Sequence, residues 1–104
     1  AWLPDHFVPT FRPELPFMEA WTLLAGLATV TTRLRIGVLV SCNTFRHPAL
    51  LAKEAVTVDH VSHGRLELGI GTGWVEFEHV MFGLRYPSNA ERVEMYAEAI
   101  QVVD

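Results

Sequence analysis

A chain of 104 residues, half of them hydrophobic and 19% charged, holds enough apolar material for one small domain with a real core and is not a disordered segment. Its net charge of −4, without any basic run, argues against nucleic-acid binding through phosphate neutralisation. No apolar run reaches the roughly 18 residues of a membrane span, no signal peptide is visible, and the single cysteine, Cys42, cannot close an internal disulfide; a cytoplasmic setting is expected.

Ala1-Trp2-Leu3 reads as the end of a strand. Pro4, Pro9, Pro13 and Pro16 mark the next segment as a loop, with Pro16 suited to the first turn of a helix. From Phe17 to Thr31, Met18, Trp21, Leu24, Ala25 and Ala28 recur at helical spacing, and the β-branched run Thr29-Val30-Thr31-Thr32 should end that helix. Leu34 to Val40 is the clearest strand, and its continuous apolar end suggests burial on both faces, as in a parallel sheet. A polar loop, Ser41 to His47, follows. Pro48 opens a second helix, with Leu50, Leu51, Ala55, Val58 and Val61 facing inward and Gly64 as its cap.

Arg65 to Ile70 forms a third strand, which runs into the glycine stretch Gly69-Ile70-Gly71-Thr72-Gly73-Trp74. Glycines at 71 and 73 permit positive φ and close approach of a ligand. Val75 to Phe82 reads as a short helix stopped by Gly83. Ser88-Asn89-Ala90-Glu91 has capping-box spacing, so a last helix starts there, with Val93, Tyr96, Ala97, Ile100 and Val103 as its buried stripe. Strand–helix alternation implies an α/β fold with parallel strands, arranged as one domain over residues 1–104. The loops carrying Asp5-His6, Ser41–His47 and Thr72–Glu78 then emerge at one edge of the sheet, the C-terminal edge that carries sites in α/β proteins.

The glycine stretch is not a dinucleotide fingerprint, because Trp74 stands where Gly-x-Gly-x-x-Gly needs its third glycine, and it is not a Walker loop. A tight turn without a ligand is the bland alternative. Asp5-His6 pairs a carboxylate with an imidazole, a combination suited to proton transfer near neutral pH; a surface pair is the alternative. His60, His63 and Asp59 lack a metal-site spacing and read as a solvated helix end, so no metal is expected. Cys42 reads as a small loop-packing residue. Of Glu76 and Glu78, one is expected to face the pocket as an acid or base and the other water.

Three blocks together resemble the bacterial luciferase-like monooxygenase superfamily: Trp2-x-x-Asp5-His6-Phe7, Asn43-Thr44-Phe45-Arg46-His47-Pro48 through Lys53, and Gly64 through Gly73-Trp74-x-Glu76-x-Glu78-His79. Their flavour is that of the branch using coenzyme F420. The resemblance implies a (β/α)8 TIM barrel, of which this chain would hold about three βα units, units 2–4 of a longer protein. It implies hydride transfer between F420 and a small-molecule substrate, with His6 beside the reactive ring as the catalytic group. Asp5, Ser41, Asn43, Thr44, Thr72 and Gly73 would contact the coenzyme, and a non-prolyl cis peptide would fall between Gly37 and Val40. The alternatives are an FMN-dependent monooxygenase using reduced flavin and oxygen, and an inert barrel fragment that self-associates through open sheet edges. A homodimer is expected, and the isolated chain is expected to be inactive. In sugar-phosphate dehydrogenases of the branch an acid follows the Thr-Gly pair; Trp74 takes that place here, so that chemistry is not expected.

Overall fold

The computed structural model describes residues 1–104. Seven elements follow in chain order: β1 (Trp2–Leu3), α1 (Ala20–Val30), β2 (Ile36–Cys42), α2 (Pro48–Ser62), β3 (Leu66–Gly71), α3 (Glu76–Met81) and α4 (Asn89–Val103). The strands form one parallel sheet in the order β1-β2-β3, so β2 is central and each crossover carries a helix. This is the α/β arrangement that the alternation implies.

One face of the sheet is covered. Ala20, Trp21, Leu24 and Ala28 of α1 and Leu51, Ala55 and Val58 of α2 pack on Ile36 and Val38 of β2. The other face is not covered within this chain: Leu39 is 57% and Val40 41% exposed, where burial on both sides was expected. The helices also depart from expectation. α1 begins at Ala20 rather than Phe17 because the Glu19 carboxylate accepts from the N–H groups of Trp21 (3.1 Å) and Thr22 (2.7 Å), and Met18 is left outside the helix and exposed. Leu50 and Val61 face solvent, and the cap of α2 is His63 in the left-handed region (φ 59°), with Gly64 after it (φ 78°). α4 has its capping box and packs on α2, but its buried residues are Arg92 and Ala99, while Val93 and Ile100 are exposed.

β2 carries one extra residue. Val38 pairs with Leu68 and Ser41 with Ile70, so Leu39 and Val40 stand opposite Gly69 alone. The Leu39–Val40 peptide is cis, inside the 37–40 interval. The bulge brings the Val40 side chain over β3: a Cβ on Gly71 would lie 2.4 Å from Val40 Cγ2, and one on Gly69 2.8 Å from the Val38 carbonyl. Gly71 does not use the positive φ that glycine permits, and is glycine because its neighbour strand occupies the space. Gly73 alone in this stretch has positive φ (83°).

Arg65, at the entry to β3, closes the other end of the layer. Its guanidinium donates to the carbonyls of Ala28 (2.9 Å), Thr31 (2.9 Å), Leu34 (2.7 Å) and Ser62 (2.6 Å) and to Thr31 Oγ1 (2.9 Å). It thus satisfies the last carbonyls of α1, where no basic residue is supplied by the helix itself. Arg65→Leu is expected to lower the unfolding free energy of the whole protein by roughly 2–4 kcal/mol in urea denaturation, and Arg65→Lys to restore less than half, since an ammonium cannot fork to several carbonyls.

Candidate functional site

The loops after β1, β2 and β3 meet at one end of the sheet. The first leaves the shortest strand, since β1 pairs through only Trp2 and Leu3. It is held by two acidic groups from opposite directions. Asp5, on the loop itself, is 4% exposed; its Oδ2 accepts from the Cys42 N–H (2.7 Å), and both its oxygens accept from Arg46 (2.5 and 3.0 Å). Glu78, from α3, is fully buried; its Oε1 accepts from the Phe7 (2.8 Å) and Val8 (3.2 Å) N–H groups, and its Oε2 lies 2.7 Å from His6 Nδ1. Glu76 faces solvent, so of the two acids Glu78 is the inward one.

Arg46 is the hub of a buried charge network. It also reaches Glu19 Oε1 and Glu54 Oε2, each at 3.4 Å, the second at ion-pair range without forming an aligned hydrogen bond. Burial works against the Arg46 charge, but the hydrogen bonds and charge of Asp5, then Glu54 and Glu19, hold its pKa above the usual value. Burial also opposes ionisation of Glu19, yet the N–H groups of Thr22 and Trp21, with Arg46, hold its carboxyl below the usual range. Glu54 is pushed up by burial, with Arg46 pulling against it.

A second hydrogen-bond line runs behind the cavity. His79 is fully buried; its Nδ1 donates to the Val75 carbonyl (2.6 Å), which leaves Nε2 to accept from the Thr44 hydroxyl (2.7 Å) in the neutral ring. Thr44 Oγ1 lies 3.2 Å from Cys42 Sγ. Burial pushes the Cys42 thiol up, against hydrogen bonds from Thr44, which suits packing and not nucleophilic work. Gly73 fits against this pair: a Cβ there would stand 2.5 Å from Thr44 Oγ1 and 2.9 Å from Cys42 Sγ.

Between these lines lies a cavity of about 150 Å³, lined by Asp5, His6, Leu39, Val40, Cys42, Phe45, Gly73, Trp74, Val75 and Glu78. A complete small-molecule site has roughly 300–1,000 Å³, so this cavity is smaller than one. Of the residues that sequence reasoning assigned to the coenzyme, Asp5 and Gly73 line it beside His6, and Thr44 stands directly behind. Ser41, Asn43 and Thr72 do not line it. Asn43 borders a separate outer cleft with Arg46, His47, Met95 and Glu98, and Ser41 is buried with an unpartnered hydroxyl. Sequence reasoning missed Arg46 and His79 as parts of the site; Phe45-Arg46 and Glu78-His79 sit in the quoted blocks, but nothing local marks their partners. No group of three or more His, Cys, Asp or Glu has metal-binding geometry, and no helix is long and apolar enough to cross a membrane.

A family model described as luciferase-like monooxygenase matches residues 1–104. F420-dependent glucose-6-phosphate dehydrogenase of Amycolatopsis mediterranei (strain U-32) is 35% identical over 107 residues, covering 99% of the chain and 31% of that protein. Pyrimidine monooxygenase RutA of Methylobacterium radiotolerans is 38% identical over 89 residues, covering 83% of the chain and 23% of that protein. Among solved structures, an F420-dependent secondary alcohol dehydrogenase in complex with an F420–acetone adduct superposes with a TM-score of 0.85 at 26% identity, covering 98% of the chain and 31% of its own. The chain therefore spans less than a third of the length of each of these proteins.

The Asp5–Arg46 pair is buried on both sides, with side chains 1% and 8% exposed. Removing one partner leaves an unanswered buried charge, so Arg46→Met is expected to cost about 3–5 kcal/mol in chemical denaturation. Because that cost comes from the stranded carboxylate, Asp5→Asn combined with Arg46→Met should be less destabilised than Arg46→Met alone.

Proposed function

We propose, because the chain belongs to the luciferase-like monooxygenase family, that the whole protein transfers a hydride between coenzyme F420 and a small organic substrate, with this chain as units 2–4 of its barrel and His6 as the catalytic group. The observation that carries the reading is the state of His6: Nδ1 is taken by Glu78, while Nε2 has no protein partner on a ring that lines the cavity and is 20% exposed.

The wall fits the edge of a flat ring. Leu39, Val40, Phe45 and Trp74 supply its apolar surface, and Gly73, at φ 83° and without room for a Cβ, brings the main chain up to it. Bound there, the coenzyme supplies the two-electron hydride acceptor or donor. The chain's own residues do the rest. His6 Nε2 takes the proton of a substrate hydroxyl as the hydride leaves the carbon that bears it, or returns that proton when a carbonyl is reduced. Trp74, edge-on to His6 with centroids 6.1 Å apart, and the Leu39–Val40 bulge give this edge its apolar surface. Asp5 and Arg46 tie the loop that carries His6 to the end of β2.

Support for F420 comes from the dehydrogenase relative that matches nearly the whole chain and from the alcohol dehydrogenase fold match. The likeness to RutA favours a second reading, an FMN-dependent monooxygenase. Equilibrium titration of the whole protein with each coenzyme separates them: F420 is expected to bind and FMN to bind far more weakly, and tight binding of FMN alone overturns the assignment. In the F420-loaded protein, His6→Ala is expected to lower kcat by roughly 10²–10⁴-fold with coenzyme affinity unchanged; wild-type turnover in that variant removes His6 from the chemistry.

A further inference from the structure

Glu78 has three nitrogen partners within hydrogen-bond range and no solvent contact. Two of these are main-chain N–H groups, Phe7 and Val8, which can only donate. They occupy Oε1 and orient the carboxylate, so that Oε2 is the acceptor presented to His6 Nδ1 at 2.7 Å. An ionised carboxylate can only accept, so it places the proton of that contact on Nδ1. Phe7 and Val8 adjoin His6 in the chain, so one carboxylate fixes the ring and the backbone that carries it. His79, the next residue on α3, is set by the same logic: a carbonyl can only accept, so the contact with Val75 places its proton on Nδ1 as well.

We propose that Glu78 is a positioning residue that locks His6 as the Nδ1–H tautomer, so that the neutral imidazole offers the cavity a hydrogen-bond acceptor at Nε2. The ring then selects a substrate that donates to it in the ground state: a hydroxyl compound about to be oxidised, held through its O–H. The imidazolium left after proton uptake is a donor at the same nitrogen and holds the carbonyl product. Both charge states keep Nδ1–H on Glu78, so the ring need not turn between them. The substrate consequence rests on the hydride-transfer reading above; the tautomer does not.

The isosteric variant Glu78→Gln tests this. An amide has one acceptor and one donor. With the Phe7 and Val8 N–H groups claiming the amide oxygen, its NH₂ faces Nδ1, which must then accept, and the proton moves to Nε2. Long-range ¹H–¹⁵N spectra of the whole protein without coenzyme, taken well above the ordinary histidine pKa of about 6.5, read the tautomer directly, with His6 assigned by its loss in His6→Ala. The expected wild-type result is a protonated Nδ1 and an unprotonated Nε2. In Glu78→Gln the pattern is expected to invert, with an unchanged melting temperature and, in the F420-loaded protein, a fall in kcat of roughly 10²–10⁴-fold. A wild-type Nε2–H tautomer overturns the proposal even if the variant does not fold. A folded variant that keeps Nδ1–H also overturns it. Inversion of the tautomer without any F420-dependent activity in the wild type would leave the positioning role intact and sink the hydride-transfer reading instead.

Discussion

A buried charge must be answered where it lies, and two such answers hold this site together. Arg46, 41 residues after Asp5, meets its carboxylate with two donors while the Cys42 N–H meets it with a third. Glu78, a further 32 residues on, meets the N–H groups of Phe7 and Val8 and the ring of His6. Residues 5–8 are thereby gripped from the β2 side and from the α3 side at once. A two-residue strand cannot orient the His6 side chain by its ladder alone; the charged anchors do that here.

The floor of the cavity follows from a different constraint. The extra residue in β2 pushes Val40 toward β3, and β3 yields with glycines at 69 and 71. The same displacement turns Leu39 and Val40 out onto the uncovered face. The glycines that first suggest a ligand cradle therefore serve mostly as clearance between neighbouring strands, and only Gly73 brings its main chain to the cavity. With Trp74 and Phe45 on the rim, the result is an apolar shelf with one imidazole nitrogen at its edge.

Much of the fold was legible because its signals are local. The β-branched run that ends α1, Pro48 at the start of α2 and the capping box of α4 each act within a few residues. The misses have physical causes. Met18 joins the α1 pattern by spacing, but a glutamate cap, outside the usual N-cap set, starts the helix after it. The α4 stripe was read from apolar residues, whereas the buried face holds Arg92, which donates to Pro87 O and Asn89 Oδ1 and lies 4.4 Å over Tyr86. In the site, Asp5-His6 and Gly73 were legible as neighbours of a strand end. Ser41 does not line the cavity because side chains alternate across a strand, and its neighbour Cys42 takes the cavity side. The partners of Asp5, His6 and Thr44 lie 41, 72 and 35 residues away, beyond any periodicity.

Those separations also set an order of assembly during synthesis. The loop bearing Asp5 and His6 leaves the ribosome well before Arg46, and Arg46 before Glu78. In the interval Asp5 has no counter-charge and the Phe7 and Val8 amides have only water. The segment that carries His6 is thus made before both of its anchors and becomes fixed only when the second of them, Glu78, has arrived.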